Sequence, residues 1–495
     1  MGFGPLPGLR PSLYSAGVVS LRTLALSAAF AASSLALACG DAQGTGDTSG
    51  LTEGTSSDAT TGAPETTGAP EPAPTTSGDA GDSSGSGGEG ETTGALACDA
   101  SGLTLVERAY LGVGGAGVQG EILPACSEHR WYIALPDESS WQIRLTRTDG
   151  PGPLRAVVAY PDEPAGGLWQ AGLAPPLVSG EQPAEAIFAV PRSGEFAVHV
   201  LSDSPDEPAA YDLEFTCVLG CERETTRFPI VLVHGWTGFE AIGPLTYFYK
   251  VSDDLLERGF PLDVAVLDPY NSSAVRSAQL AEQVDEILVA QRARKVDFIA
   301  HSQGGIDSRA VIATHGYGDR VSALITIASP HRGTYITDLA LGLAPGTVEV
   351  ALSGLLNFLG AVTAQQKSDA QASFYSLSEH FMQSEFNPMN PDDPRVHYIS
   401  YTGRTCNAAG FLVPGNKCHD LVDPLIGWSY AILQVARGDN DGLVTIESAQ
   451  WGDYRGEMIA DHIDEVGQIL GVTDNAFDHL AFYRGLARDL ALEEH

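Results

Sequence analysis

Positive charge is scarce in this chain. Against 63 aspartates and glutamates it sets only 27 lysines and arginines, a formal net charge of −36 over 495 residues. A field so negative repels nucleic acid and anionic lipid, which excludes both as partners held by charge, while it keeps an exported protein soluble. The N-terminus lacks a stretch long enough to span a bilayer. Leu24 to Ala38 is apolar and rich in small residues, but it is too short for a comfortable crossing and ends in Ala36-Leu37-Ala38-Cys39. With Arg10 and Arg22 ahead of it, the segment 1–38 reads as an export signal.

Small residues before Cys39 resemble the bacterial lipobox, although Ala36 stands where leucine is commoner. Cys39 is therefore the expected lipidation site, anchoring an exported chain in the cell envelope or at the cell surface through its acyl chains. From Gly40 to Ala97 lysine, arginine and aromatics are all missing, and Gly, Ser, Thr, Ala and Pro dominate. Such a segment cannot bury enough apolar surface to offset its ordering entropy, so 39–97 is expected to be a flexible spacer. Cysteine is also sparse, at 7 residues. Without Cys39 an even set is left, Cys98, Cys126, Cys217, Cys221, Cys406 and Cys418, as disulfides in an oxidising compartment require. Cys406 with Cys418 would close one short loop; the pairing of the other four is open.

Between 98 and 222 helical periodicity is lacking. Short runs alternate instead: Trp131 to Leu135, Trp141 to Leu145, Ala156 to Ala159, Ala186 to Val190, Phe196 to Val200 and Tyr211 to Phe215, divided by Gly, Pro, Asp and Ser. This predicts a small β-sandwich, serving either as a binding module or as structural support. From 223 to 495 the pattern changes. Phe228 to Val233, Val264 to Leu267, Val296 to Ile299 and Leu324 to Ile327 are apolar runs, and Ser277 to Arg292 between them carries apolar residues at helical spacing. That alternation predicts an α/β domain, a mostly parallel sheet covered by helices.

The chemistry centres on Phe298-Ile299-Ala300-His301-Ser302-Gln303-Gly304-Gly305, where a buried strand runs into a small-x-Ser-x-Gly turn and a helix follows. This is the nucleophile elbow of the α/β-hydrolase fold, and Ser302 is its serine. A serine hydroxyl needs a base and an orienting acid, which follow in the order acid, then histidine. Among the later histidines His462 lies in a polar loop. His479 reads as a helix-face residue of Phe477 to Leu492, and His495 as a frayed end. His462 is therefore the expected base. Asp441, in the turn Asn440-Asp441-Gly442, is the expected acid, with Asp439 a near rival. The oxyanion donors expected are the N–H groups of Gln303 and of Trp236, in the glycine-bearing loop His234-Gly235-Trp236.

These motifs resemble the bacterial true lipases of the Pseudomonas–Burkholderia type. The resemblance runs from about Arg227 to Arg488 and rests on Pro229 to Gly238, Tyr247-Phe248-Tyr249, Lys295 to Gly305, Ser329 to Thr334, Asn440 to Val444 and His462 to Gln468. It implies a Ser302–His462–Asp441 triad that hydrolyses lipid esters through an acyl-enzyme. It implies a structural Ca²⁺ held by the carboxylates of Asp423 and Asp464 and the carbonyls of Gln468 and Val472. It also implies a lid after Ile336, with Leu352, Leu355, Leu356, Phe358, Leu359 and Val362 on one face, and raises a dedicated foldase as a partner. Trp236 departs from the family, where a smaller apolar residue is usual, and would narrow the acyl site. The rival functions are a short-chain esterase, polyester depolymerase, peptidase or acyltransferase on the same fold, and an inactive surface adhesion protein.

Overall fold

The computed structural model describes residues 103–495 except 116, 163–172, 174, 175, 203, 205, 237–246, 346–368, 408–419 and 474–476. The signal 1–38, Cys39, the spacer, Cys98, Cys418 and the lid residues Leu352 to Val362 lie outside the described residues. No helix among the described residues is long and apolar enough to cross a membrane.

Among the described residues, nine strands come first. Sheet order β1-β3-β8-β5-β6 is built from Thr104–Val113, Ser127–Leu135, Gly194–Ser202, Leu154–Ala159 and Leu177–Ser179. Sheet order β2-β9-β4-β7 is built from Val118–Leu123, Ala209–Leu219, Ser140–Asp149 and Ala184–Ala189. Every pairing is antiparallel except β1 with β3. Alternation explains the packing. Trp131, Ile133 and Leu135 of β3 and Phe196, Val198 and Val200 of β8 point to the same core as Ile143 and Leu145 of β4 and Tyr211, Leu213 and Phe215 of β9. Cys217 is bonded to Cys221. Cys126 and Cys406 are each half of a disulfide.

A third, six-stranded sheet follows in the order β11-β10-β12-β13-β14-β15, from Leu262–Val264, Ile230–Val233, Val296–His301, Val321–Ile327, His397–Gly403 and Asp453–Met458. All five pairings are parallel. Such a sheet needs helices on both faces. Helices α1 (Val251–Arg258) and α7 (His479–Leu492) cover one, with Leu255, Tyr483, Leu486 and Leu490 against Ile230, Leu232 and Ile325. Helices α2 (Ser273–Ala290) and α3 (Gln303–Ala313) cover the other, with Leu280, Val284 and Val311 against Val231, Phe298 and Leu324. Three shorter helices, α4 (Tyr335–Ala340), α5 (Ala370–Ser376) and α6 (Gly427–Ala436), lie over the strand ends where the site forms. Strand β11 is shorter than the run Val264 to Leu267 suggests, because Val266 is half exposed and the ladder ends at Val264.

The first two sheets dock on the six-stranded one at the N-terminal ends of its strands. Glu195 of β8 is buried and takes hydrogen bonds from Arg227 Nε (2.6 Å) and from Arg294 Nε (2.8 Å) and an Arg294 terminal nitrogen (2.9 Å). Arg227 precedes β10 and Arg294 precedes β12. The same guanidinium groups stack on Tyr110 and Tyr132, and Arg292 stacks on Tyr160. Removing the buried carboxylate leaves its cations unpaired. Glu195→Gln is expected to cost about 2–3 kcal/mol of unfolding free energy in urea titrations, below the full buried-pair value because Arg294 is partly exposed. Ester hydrolysis by the folded fraction should be unchanged.

Candidate active site

Ser302 sits where β12 becomes α3. Its φ of 57° is one a non-glycine residue adopts only under constraint. The constraint is visible. Ser302 N–H donates to Ile327 O at 2.9 Å, extending the β12–β13 pairing, while Ser302 O already accepts from Gly305 N–H at 3.1 Å. Gly304 and Gly305 make room. A Cβ on Gly304 would lie 2.4 Å from Val233 O, and one on Gly305 would lie 2.1 Å from Ser329 Oγ.

His462 donates from Nδ1 to Asp441 Oδ2 at 2.8 Å, and its Nε2 accepts from Ser302 Oγ at 2.9 Å. The other oxygen of Asp441 accepts the N–H groups of Leu443 (2.8 Å) and Val444 (2.7 Å), so the turn holds the carboxylate in place. His462 N–H donates in turn to Asp441 O at 3.0 Å. All three side chains are buried. Asp439 points elsewhere, into an ion pair with Arg404. His479 starts α7, with Nε2 3.0 Å from Tyr249 O. His495 is no frayed end: its Nδ1 meets Ser322 Oγ at 2.8 Å, and its N–H donates to Leu490 O at 2.9 Å.

The loop after β10 packs against the serine. A Cβ on Gly235 would lie 2.5 Å from Ser302 Cβ. That brings the Trp236 backbone to the same corner as Gln303, the first residue of α3, whose N–H has no acceptor within the helix. Two buried groups fix this loop. Burial and then Arg276 push His234 down to about 3. The neutral ring donates from Nδ1 to Gly235 O (2.9 Å) and accepts Leu267 N–H at Nε2 (3.0 Å). Arg276, fully buried on α2, donates to His234 O (2.7 Å), Asp268 O (2.6 Å) and Asp307 Oδ2 (2.6 Å). Burial raises Asp307 to about 6 in spite of this partner.

Behind His462 lies a second imidazole, His301, with ring centroids 4.5 Å apart. Its Nδ1 meets Tyr247 Oη at 2.7 Å and its Nε2 meets Glu465 at 2.8 Å. Burial, then Asp441 and three further aspartates, push Glu465 well above the usual carboxylate range. Below it Asp420, Asp461 and Asp464 are buried, with one oxygen of each within 4.8 Å of the others. Asp461 is driven up by burial, then by Asp464 and Asp423. Asp464 thus stands where the sequence places it, but the carboxylate grouped with it is Asp420, and Asp461 joins them. Asp423 lies alongside; it donates its N–H to Asp461 Oδ2 (2.6 Å), and its own Oδ1 accepts Leu425 N–H (2.8 Å). Gln468 and Val472 spend their N–H groups on Ile463 O and Ile469 O, closing the loop that carries Asp464. Asp461 carried a readable signal: it adjoins His462, and its Oδ1 caps the N–H groups of Ile463 (3.0 Å) and Asp464 (2.9 Å). Arg276 and Glu465 carried none.

An apolar cleft opens beside Ser302, walled by Trp236, Phe374, Leu377, Ile336, Leu443 and Ile463. The Trp236 ring lies against Phe374 (centroids 5.2 Å apart) and Tyr270 (5.8 Å).

A triacylglycerol lipase of Vibrio cholerae is 30% identical over 268 residues, which span 50% of this chain and 82% of that protein. The chain belongs to the triacylglycerol lipase family. It is a serine ester hydrolase of α/β-hydrolase type. Other members of this lipase family are similar at 27% identity: one from Burkholderia plantarii (54% of this chain, 87% of that protein) and one from Pseudomonas fragi (49% and 89%). The profile of the palmitoyl protein thioesterase family matches residues 229–390. Among solved structures, a Bacillus licheniformis lipase in mature form is 25% identical with a TM-score of 0.37, covering 49% of this chain and 86% of that one. A Staphylococcus hyicus lipase is 17% identical with a TM-score of 0.39, covering 55% and 97%.

The elbow makes a direct demand on Gly304. Gly304→Ala forces Cβ onto the backbone carbonyls of Val233 and His234, so β10 and α3 must separate. The expected result is a loss of about 1–3 kcal/mol in thermal or urea unfolding, together with a fall in kcat on a soluble ester.

Proposed function

We propose that this chain is a lipid-ester hydrolase, a triacylglycerol lipase, working through an acyl-enzyme on Ser302. The observation that carries the reading is the unbroken hydrogen-bond line from Ser302 Oγ through His462 to Asp441. In the first half-reaction His462 Nε2 takes the hydroxyl proton as Ser302 Oγ attacks the ester carbonyl. The Gln303 and Trp236 N–H groups receive the oxyanion. His462 returns the proton to the leaving alcohol, and water then releases the acid by the same route. Asp441 stays ionised and holds the ring in the tautomer this requires. The aromatic and aliphatic cleft beside Ser302 supports an acyl chain as the group bound. Ser302→Ala is expected to lower kcat by about 10⁴ or more and to abolish labelling by a fluorophosphonate probe. Full residual turnover in that variant would remove Ser302 from the mechanism.

The profile match supports a second reading, in which the acyl group leaves a thioester. Comparing oxygen esters and thioesters of one acyl chain, with and without a lipid interface, separates the two. We read the first two sheets as a β-sandwich accessory domain that supports folding rather than substrate binding, because it docks at the strand ends remote from Ser302. We also read Cys39 as a lipid anchor that holds the enzyme in the cell envelope.

The carboxylates of Asp423 and Asp464, with Asp420 and Asp461 grouped beside them, and the carbonyls of Gln468 and Val472 form a donor set that suits a hard divalent cation, and we assign it structural Ca²⁺. Bound there, calcium would offset the negative charge crowded behind His462 and pin the loop carrying the base. Stripping the protein with a calcium chelator is expected to lower both Tm and hydrolysis rate, and Asp464→Asn to blunt both effects. A stripped protein with unchanged melting and rate would count against the ion.

A further inference from the structure

We propose that His397, Glu493 and His495 form a zinc site at the far end of the parallel sheet from Ser302. The three residues come from two distant parts of the chain. His397 opens β14, and Glu493 and His495 follow α7. One ligand atom of each lies within 4.8 Å of the others. The closer spacings agree with tetrahedral coordination. His397 Nδ1 is 3.3 Å from His495 Nε2 and 3.5 Å from Glu493 Oε2. Ligands bound about 2.0–2.1 Å from a tetrahedral zinc stand about 3.3–3.4 Å apart along each edge.

The far ring nitrogen of His495 is held by a hydrogen bond, as that of a metal-bound histidine is, and that of His397 has a carboxylate near it but outside hydrogen-bond reach. His495 Nδ1 meets Ser322 Oγ at 2.8 Å, which directs Nε2 to the site. His397 Nε2 faces Asp453 Oδ2 at 3.9 Å. An oxygen partner on the far ring nitrogen fixes tautomer and orientation and raises ligand basicity. Arg455 grips both oxygens of Glu493, at 2.7 and 2.8 Å. The grip orients the carboxylate and draws charge from it, so affinity rests chiefly on the two imidazoles. Two nitrogens and one oxygen select a borderline ion such as Zn²⁺ over Ca²⁺ or Mg²⁺. His397 and Glu493 are each about one-third exposed, which leaves a coordination position for water.

Its consequence is mechanical. The ion would tie the end of α7 to the start of β14, and His495 O already accepts Arg227 N–H at 3.0 Å beside the Glu195 junction. The ligands belong to the end of the sheet that carries no catalytic group, so binding is a matter of stability and not of turnover.

The test is Zn²⁺ titration by calorimetry on the full chain without a polyhistidine tag, with Ca²⁺ saturating to fill the acidic cluster. One zinc per chain is expected, with a rise in Tm and unchanged ester hydrolysis. His495→Gln and His397→Gln should each weaken that binding at least tenfold, and Ser322→Ala about tenfold. Cobalt should give the visible d–d bands of a tetrahedral site in the wild type and lose them in His495→Gln. Should His397→Gln fail to fold, His495→Gln and Glu493→Gln carry the comparison. Wild type that takes up no zinc, or zinc bound equally well by His495→Gln, would overturn the site and leave a histidine–histidine hydrogen bond beside an Arg455–Glu493 ion pair.

Discussion

The contact between the strained backbone of Ser302 and the carbonyl of Ile327 governs the geometry of everything near it. A serine at positive φ is not stable by itself, and an isolated turn of this sequence would relax. The neighbouring strand takes the Ser302 N–H, the first turn of α3 takes its carbonyl, and the two following glycines let both happen at once. The strain is thereby spread over β10, β13 and α3, three elements whose own burial is secure. The hydroxyl is left at the tip, displaced from the sheet and facing the loop after β10. The base and acid come from far along the chain, so their loops must be fixed by the same sheet, and they are: His462 and Asp441 exchange backbone as well as side-chain hydrogen bonds.

Much of this was legible beforehand because it is periodic or local. The fully buried run of β12, the small residues around Ser302 and the Asn-Asp-Gly turn at Asp441 each have one structural meaning. Less was legible where pattern and environment part company. Strand β15, Asp-Tyr-Arg-Gly-Glu-Met, is polar because it lies at a sheet edge with only Met458 fully inside. Strand β14 follows a segment rich in Pro and Asp that hides its start. Arg276 and Glu465 are charged residues, a type mostly found exposed, yet they are buried because backbone carbonyls or a histidine wait for them. The acidic cluster is a related case. The resemblance points to Asp423, before Pro424, together with Asp464, and three-dimensional proximity adds Asp420 and Asp461 to that neighbourhood.

The two ends of the parallel sheet do different work. At the N-terminal ends Arg227 and Arg294 reach Glu195, aromatic faces receive guanidinium groups, and His495 is tied to Ser322. These contacts join chain segments without touching the cleft. At the C-terminal ends the polar groups converge on a single hydroxyl. In a parallel sheet the C-terminal ends are where loops can be shaped freely without breaking the ladder. The two antiparallel sheets dock at the opposite end, away from the catalytic groups.

Charge is the constraint that ties the site to the composition of the chain. Asp441 must remain ionised to stabilise an imidazolium, yet Glu465, Asp420, Asp461 and Asp464 are buried nearby, and each added negative charge penalises the others. Protonating Glu465 relieves part of this, since its hydroxyl can then donate to neutral His301 at 2.8 Å. It does not relieve the aspartate group, whose oxygens cap loop N–H groups and are held close by the fold. The cation proposed for that group would offset the repulsion. The net negative charge of the chain thus has a local counterpart, in which the catalytic histidine is framed by buried carboxylates that penalise one another.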